Sequence, residues 1–325
     1  MGSFNRDQFR ADIAEKWARA TGRHDAAESA FFARQLEDIR GRAYDYKLIE
    51  LKARMFLPVD NSVNPGAESV TYSQFTPRSL AKIIASYADD LPRSDSTGLQ
   101  FTAQIKGIGG SYGYSIQEIR AAQMAGLPLD QRRANAARRG VEVVIDKIAQ
   151  SGDSDYKLVG FFNQPSATTF TVPAGVSGFT DWARKNPGEI LSDMNGVANF
   201  IVSNTSEVEK PDTLLVPIKQ YTQIATTPMN SANASNVTIL DMFLKNQPFV
   251  QMVAPWYALT GAGAGSTDRM ICYKRDPDHL MLVIPQEFEQ FPPQQRNLEF
   301  VVNCHARCGG VQVPYPLAIA YADGV

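Results

Sequence analysis

The stretch from Ser115 to Pro165 constrains the fold of this chain more than any other, because it has the pattern of two consecutive helices. Ser115 and Glu118 form an S-x-x-E pattern, in which each side chain bonds the backbone N–H of the other residue at a helix start. Gly126 and Pro128 end this first helix, since glycine adopts the left-handed cap conformation and proline cannot continue a helix. The stretch is a mechanical element without a candidate catalytic group.

A second, longer helix is predicted over residues 130–150, with Asp130 as its N-cap. Its apolar residues recur at spacings of three and four, at Ala134, Ala137, Val141, Val144 and Ile148. This spacing places them on one face of the helix. At ~1.5 Å per residue the helix is roughly 30 Å long, which is enough to form the backbone of a domain.

Four arginines lie on this predicted helix, namely Arg132, Arg133, Arg138 and Arg139. One interpretation is a surface that faces packaged nucleic acid or pairs with carboxylates of a neighbouring subunit. The other is a solvated helix face whose partners lie on the same helix, such as Arg138 with Glu142. The residues alone leave both interpretations open.

Composition argues against several classes of protein. The chain has 325 residues, a formal net charge of −2 and a pI near 6.0, whereas a dedicated nucleic-acid-binding protein usually carries a basic stripe. Cys272, Cys304 and Cys308 are too few for a disulfide framework, so a reducing compartment is expected. No apolar run approaches the ~20 residues that a membrane helix needs. We expect no signal peptide, because the first residues lack its apolar segment.

Two different patterns precede the Ser115–Pro165 stretch. Residues 1–52 have helical periodicity, and they form either a helical hairpin packed on its own domain or an arm that covers a neighbouring subunit. Residues 57–106 contain segments punctuated by proline and glycine that alternate as strands do, with one short helix near 80–87. An excursion of this length inside a compact domain is usually functional or protruding.

The remainder of the chain alternates between helices and strands. Apolar periodicity predicts a helix that begins near Pro187. The pattern then predicts, in order, strand 213–217, helix 218–226, helix 237–245, strands 249–254, 269–273 and 280–284, and a strand-rich region over 298–321. The fold class is therefore α+β, and the length suffices for two domains.

No motif predicts a catalytic, metal or cofactor site. Residues 107–113 are rich in glycine but lack the glycine spacing of a dinucleotide fingerprint, so a bulge or a hinge is expected there. The segment Cys304–Cys308 has too few nearby ligands for a structural zinc ion, and buried cysteines on a core strand are the simpler expectation. Glu287 and Glu289 are expected to be solvated. We predict that the protein is not an enzyme and holds no metal or cofactor.

The order of these pieces resembles the major capsid proteins of tailed bacteriophages, whose Hong Kong 97-like fold is shared with encapsulin shells. The resemblance covers nearly the full length. The matching segments are F-F-A-R-Q-L-E (31–37), A-R-M-F-L-P-V (53–59), P-G-A-E-S-V-T-Y (65–72), D-D-L-P-R-S-D (89–95), G-Y-S-I-Q-E-I-R-A-A (113–122), A-A-R-R (136–139), G-F-F-N-Q-P (160–165), M-L-V-I-P-Q-E-F-E (281–289) and R-C-G-G-V-Q-V-P-Y-P (307–316).

The resemblance implies a fold with four parts. These are an N-terminal helical arm (1–52), an extended hairpin loop that reaches over a neighbour (53–106), a peripheral domain (107–186) that carries the spine helix 130–150 and is joined by C-terminal strands near 300–325, and an axial domain (187–300). The implied protein is a major capsid protein, which assembles as hexamers and pentamers into the icosahedral head shell around the double-stranded DNA of a tailed phage. It would reside in the virion after assembly in the cytoplasm of the bacterial host.

The implied partners are further copies of the chain and packaged DNA, which is contacted without sequence specificity. Where the phage uses them, a decoration protein, the portal and a scaffolding protein are also implied. The scaffold is expected to be a separate protein, because only a short arm precedes the hairpin loop. The assembly-facing or DNA-facing candidates are Arg132, Arg133, Arg138 and Arg139. No membrane partner is expected.

Two alternatives to a phage capsid stay open at this point. The first is an encapsulin-like nanocompartment shell, which has the same fold but encloses enzyme cargo. The second is a soluble α+β enzyme whose site carries no recognisable motif. Some relatives cross-link a lysine of the loop to an asparagine, but Lys82 and Lys106 do not match that pattern, so no cross-link is predicted.

Overall fold

The computed structural model of the chain describes residues 47–81, 93–125, 131–229 and 237–325. The chain divides into two compact units, Met1–Ile49 and Glu50–Val325, and all the elements below belong to the second. Several predictions lie outside the described residues. These are the helices of the N-terminal arm, most of the short helix near 80–87, and the helix caps at Gly126, Pro128 and Asp130.

The described residues contain both helices and strands, in agreement with the predicted α+β class. The α-helices are α1 (Ala53–Phe56), α2 (Ile116–Ala125), α3 (Arg132–Ser151), α4 (Pro187–Asn204), α5 (Ile218–Thr226) and α6 (Ile239–Asn246). The strands are β1 (Val59–Asp60), β2 (Ser69–Arg78), β3 (Asp95–Gln104), β4 (Lys106–Ser115), β5 (Gly152–Asp153), β6 (Leu158–Val159), β7 (Thr168–Phe170), β8 (Thr213–Val216), β9 (Met252–Pro255), β10 (Arg269–Tyr273), β11 (Met281–Val283), β12 (Gln286–Gln290), β13 (Gln294–Arg296), β14 (Glu299–Cys308), β15 (Val311–Gln312) and β16 (Ile319–Asp323).

Strands β2 and β3 form a two-stranded antiparallel ribbon within the range predicted for the hairpin loop. The ladder runs over ten residue pairs, from Ser69 opposite Gln104 to Arg78 opposite Asp95. The Ile105 N–H donates to the Glu68 carbonyl at 2.8 Å and closes the base of the ribbon. At ~3.3 Å per residue the ribbon is about 30 Å long.

The spine helix α3 packs on an outer sheet in which β14 pairs with β4 on one side and with β12 and β13 on the other. Residues 107–113 were predicted to form a bulge or a hinge, and this was wrong. They lie in the middle of an uninterrupted ladder between β4 and β14. Gly110 lies under the helix, since a Cβ placed there would be 3.7 Å from the Val141 Cγ2 atom. A Cβ at this distance would make an ordinary van der Waals contact, so the packing of the helix on the strand does not require glycine here.

A five-stranded sheet in the order β7-β16-β10-β8-β9 separates two hydrophobic cores. Successive side chains of a strand point to opposite faces, and the two cores divide the strands accordingly. On β10, Ile271 and Tyr273 belong to the core that contains the spine helix, whereas Met270 and Cys272 belong to the core that contains α4, α5 and α6. The sheet combines β7 and β16, from the ranges predicted for the peripheral part, with strands from the axial range.

The buried face of the spine helix differs from the predicted stripe. Val141 and Ile148 are buried as predicted, but Val144 is 41% exposed, and Ile145, which was not predicted, is 1% exposed. The charged residue Asp146 is also buried. The reason is that α3 packs against α1 as well as against β4, which shifts the buried face away from the stripe that the sequence spacing indicates.

Candidate assembly surfaces

The capping box at the start of α2 is formed as predicted, and an arginine of the spine helix joins it. The Ser115 N–H donates to Glu118 Oε2 at 3.0 Å, and the Glu118 N–H donates to Ser115 Oγ at 3.2 Å. Arg133 donates to Glu118 Oε1 at 2.8 Å and to the Gly113 carbonyl at 2.7 Å. Hydrogen bonds from Arg133 and from the Ser115 N–H lower the pKa of Glu118 to about 2. Arg133 therefore ties the spine helix to β4 and α2.

The carboxylates of the spine helix hold the short helix α1. Asp146 accepts the Ala53 N–H at 2.9 Å, and burial raises the pKa of Asp146 although this bond opposes the shift. Glu142 lies 3.2 Å from the Arg54 guanidinium, which also binds Glu287 at 2.8 Å. Glu287 is exposed, as expected, but it is also paired. Its partner, Arg54, lies far away in the sequence.

Because Glu142 and Asp146 turn toward α1, the exposed side chains of the spine helix include no carboxylate. The exposed charged residues of the helix are Arg132, Arg133, Arg138 and Lys147. Arg138 and Arg139 also line an open cleft of about 350 Å³ beside Leu51 and Arg54. The structure thus divides the predicted arginine cluster. Arg133 binds within the subunit, Arg138 and Arg139 lie at the cleft, and Arg132 is exposed at the start of the helix.

The two-stranded ribbon has one face rich in apolar side chains, here named the apolar face, whereas the opposite face is mostly polar but carries Phe75, which is 70% exposed. Its strand register places Val70 opposite Ala103 and Tyr72 opposite Phe101, and the Tyr72 and Phe101 rings stack with centroids 5.4 Å apart. On this apolar face Leu99 is 58% exposed. An isolated two-stranded ribbon is marginally stable in water, so a ribbon with an uncovered apolar face is suited to contact another protein surface.

A buried ion pair fixes the segment that precedes α4. Lys185 Nζ lies 2.6 Å from Asp193 Oδ2, and the two side chains are 1% and 2% exposed. The Trp182 Nε1–H donates to the same carboxylate at 3.0 Å, and Lys185 also donates to the Pro173 carbonyl at 2.7 Å. Burial raises the pKa of Asp193 against the opposing effect of Lys185. The spacing of these residues gave no sequence signal for the pair.

A second ion pair joins the end of the chain to the G-F-F-N-Q-P segment. Arg269 Nε lies 2.6 Å from Asp323 Oδ1, and its guanidinium also donates to the Phe162 carbonyl. Asp323 further accepts the Ala264 N–H at 3.0 Å. Arg269 and Asp323 are opposite each other in the β10–β16 ladder, so a correct strand pairing would have predicted this contact.

The cysteine and histidine segment on β14 is part of the sheet. Cys304 and Cys308 are buried on one side, as expected for cysteines on a core strand, while His305 points to the opposite side. Burial raises the pKa of the Cys308 thiol to about 11. Over the described ranges, Cys, His, Asp and Glu side chains form no group of three that could hold a metal ion. Within the same ranges, every helix is too short or too polar to cross a membrane.

Comparison with known proteins identifies the fold and the family. The structure is similar to the capsid of Myoviridae phage XM1, with a TM-score of 0.77 and 18% identity over 91% of this chain and 99% of that chain. It is also similar to the capsid of the native GTA particle, with a TM-score of 0.60 and 13% identity over 92% and 99%. The similarity to a virus-like particle from Pyrococcus furiosus is weaker, with a TM-score of 0.51 and 12% identity over 83% and 91%.

These likenesses show the Hong Kong 97-like fold that the sequence resemblance implied. No curated protein sequence matches the chain. The sequence matches the Major capsid protein family over residues 79–325, which is most of its length. The chain belongs to the Major capsid protein family.

Proposed function

We propose that copies of this chain assemble as hexamers and pentamers into the closed icosahedral head shell of a tailed phage, around its double-stranded DNA. The family match over residues 79–325 carries this proposal. The protein then resides in the virion, after assembly in the host cytoplasm. Its role is structural, and we assign it no reaction.

The ribbon of β2 and β3 supports assembly through overlapping subunits. Leu99 and Phe101 are 58% and 42% exposed on its apolar face. Covering apolar surface is favourable by roughly 25 cal/mol per Å², so a neighbouring copy that covers this face stabilises both the ribbon and the shell. Many such contacts act together in a closed shell, because multivalent binding multiplies modest affinities.

The exposed positive residues of the spine helix support a contact with packaged DNA. Arg132, Arg138 and Lys147 are exposed, whereas Glu142 and Asp146 of the same helix bind α1. Cations that neutralise phosphates bind without sequence specificity and in a salt-dependent manner. Purified heads of an Arg132→Gln, Arg138→Gln variant should retain less DNA at high salt than wild-type heads. Unchanged DNA retention would contradict this assignment.

Membership of the Major capsid protein family supports proposing further partners. A separate scaffolding protein, a decoration protein and the portal are the partners proposed besides further copies of the chain. A nanocompartment shell is not favoured, because the sequence matches the Major capsid protein family over residues 79–325.

Negative-stain electron microscopy of the purified protein tests the assembly. We expect shells, capsomers or tubes, and a homogeneous monomer under all conditions, including co-expression with the proteins of the same phage head, would refute the proposal. Leu99→Asp places a charge on the apolar face of the ribbon and should abolish shells. Ser73→Asp, on the opposite face of the ribbon, is the matched control and should assemble normally. Equal loss of shells in both variants would mean that the apolar face is not what a neighbour covers.

A further inference from the structure

The two edges of the outer sheet differ in their chemistry. The edge formed by β12 and β13 is interrupted by Pro292 and Pro293 and carries Glu287, Glu289 and Arg296. Prolines and charges are features by which edge strands avoid pairing with other chains. The opposite edge, formed by β4, contains neither proline nor a charged residue from 107 to 115. This second edge, here named the β4 edge, lacks such protection.

The register of the sheet shows which backbone groups the β4 edge presents. The Ile116 N–H bonds the Leu298 carbonyl at 2.9 Å, so the even-numbered residues of β4 bond to β14 and the odd-numbered residues face outward. At one end, Glu118 accepts the Ser115 N–H and Arg133 donates to the Gly113 carbonyl. Among the residues that the structure describes, no strand pairs with the rest of the edge. The backbone groups of Gly107, Gly109 and Ser111 are therefore open to a partner, and these residues are exposed.

Part of the spine helix, here named the ledge, presents apolar side chains on the same side of the subunit as the β4 edge. Arg133 reaches the outward-facing Gly113 carbonyl, so this side of the helix overhangs the β4 edge. Val144 follows Arg133 by eleven residues, which is about three helical turns, and therefore projects to the same side. Val144 is 41% exposed, and Ala137 on this side is partly exposed. Ala137 and Val144 form the ledge.

Strand β3 of a second copy has the matching features. The Ile105 to Glu68 hydrogen bond sets the register of the ribbon, so the even-numbered residues of β3, such as Gln100 and Thr102, face away from β2. From residue 96 to residue 104, β3 has no charge and no proline, whereas β2 contains Pro77. Strand β3 is thus the longer unprotected edge of the ribbon, and it spans ten residues, as β4 does.

The orientation follows from the faces of the two strands. In an antiparallel ladder, outward-facing residues of both strands lie opposite each other, with their side chains on the same face. Gln100 and Thr102 then lie beside Gly109 and Ser111, on the side away from the spine helix. Leu99 and Phe101 consequently lie on the side of the spine helix and reach the ledge. A parallel pairing would instead place the apolar face of the ribbon away from the helix.

We propose that β3 of one copy pairs antiparallel with the open β4 edge of a neighbouring copy and buries Leu99 and Phe101 against Ala137 and Val144. This inference rests on the proposed function, because it requires copies held side by side in a shell. It names the backbone edge and the helix surface that receive the ribbon. It also explains why Val144 belongs to the apolar stripe of the sequence yet is exposed in the single subunit.

Residue-resolved hydrogen exchange of assembled shells and free subunits tests the pairing directly. The amides of Gly107, Gly109 and Ser111 should exchange fast in the free subunit and at least about tenfold more slowly in the shell, because paired amides exchange only after local opening. The amides of Ile108 and Gly110 should be protected in both states. Shells in which the three outward amides exchange as fast as in the subunit would overturn the inference while leaving the proposed function intact. Complete absence of shells would overturn both.

A pair of variants at one position gives a second test. Gly109→Pro removes an outward N–H without breaking the ladder to β14, and a Cβ at Gly109 meets no atom within 4 Å. Gly109→Ala keeps the N–H and is the matched control. We expect soluble subunits from both variants, wild-type assembly of Gly109→Ala, and loss of assembly of Gly109→Pro. Equal assembly of the two variants would contradict the inference, and if Gly109→Pro does not fold, the hydrogen exchange of the wild-type protein decides.

Discussion

Adjacent residues of the spine helix should differ sharply in their contribution to subunit stability. Ile145 is 1% exposed and Val144 is 41% exposed. Replacing Ile145 with alanine removes three buried carbons, worth about 2.4 kcal/mol at ~0.8 kcal/mol each. The cavity left behind raises the loss in the free energy of unfolding to about 2–5 kcal/mol. At roughly 1.5 °C per kcal/mol for a chain of this size, the melting temperature should fall by about 3–8 °C.

Val144→Ala is the matched control for this substitution. It removes two carbons that are already partly hydrated, so the free energy of unfolding should fall by at most ~1 kcal/mol. The higher helix propensity of alanine offsets about half of that. Urea unfolding of unassembled subunits, followed by circular dichroism, measures both variants. An equal cost of the two substitutions, or a cost below about 1 kcal/mol for Ile145→Ala, would show that the buried face of the helix is not the one described.

Two further predictions concern the ion pairs. Lys185→Met leaves Asp193 buried without its cation and should cost about 3–5 kcal/mol in urea unfolding, while Lys185→Met, Asp193→Asn should recover part of the loss because the amide still accepts the Trp182 N–H. A loss of less than about 1 kcal/mol for Lys185→Met would contradict this. Burial raises the pKa of Asp323, but hydrogen bonds from Arg269 and the Ala264 N–H outweigh burial and lower this pKa below its ordinary 3.8. The ionised Asp323 therefore stabilises the fold at pH values above 3.8. This stabilisation is lost as the pH falls through the lower pKa that Asp323 has in the folded state. Asp323→Asn should therefore be less stable than wild type at neutral pH and lose less stability on acidification, and parallel pH profiles of the two proteins would refute the assignment.

The elements that the sequence predicts well are those set by neighbouring residues. The Ser115–Glu118 capping box, helix Ile218–Thr226 and strand Arg269–Tyr273 are found with the predicted bounds. The alternation of β14, with Cys304 and Cys308 inward, is also found. Each of these features depends on a pattern within about ten residues, where capping, periodicity and alternation are expressed directly.

The features that the sequence does not predict depend on distant residues. Asp146 is buried where it accepts the Ala53 N–H, and this partner lies 93 positions away in the sequence. Glu287 is paired with Arg54, which lies 233 positions away in the sequence. The glycine-rich strand β4 suggested a hinge, because glycine weakens an isolated strand, but the long ladder with β14 overrides this preference. For the same reason the four arginines of the spine helix could not be assigned separate roles before their partners were known.

The five-stranded sheet limits how a shell of this protein can deform. Because each face of the sheet carries one of the two cores, neither core can separate from the other without opening strands that both share. The unit Glu50–Val325 should therefore unfold in one cooperative transition. The hexamers and pentamers of the proposed shell require different curvature. The contacts between copies and the ribbon must then change to produce this difference in curvature, while the five-stranded sheet keeps its shape.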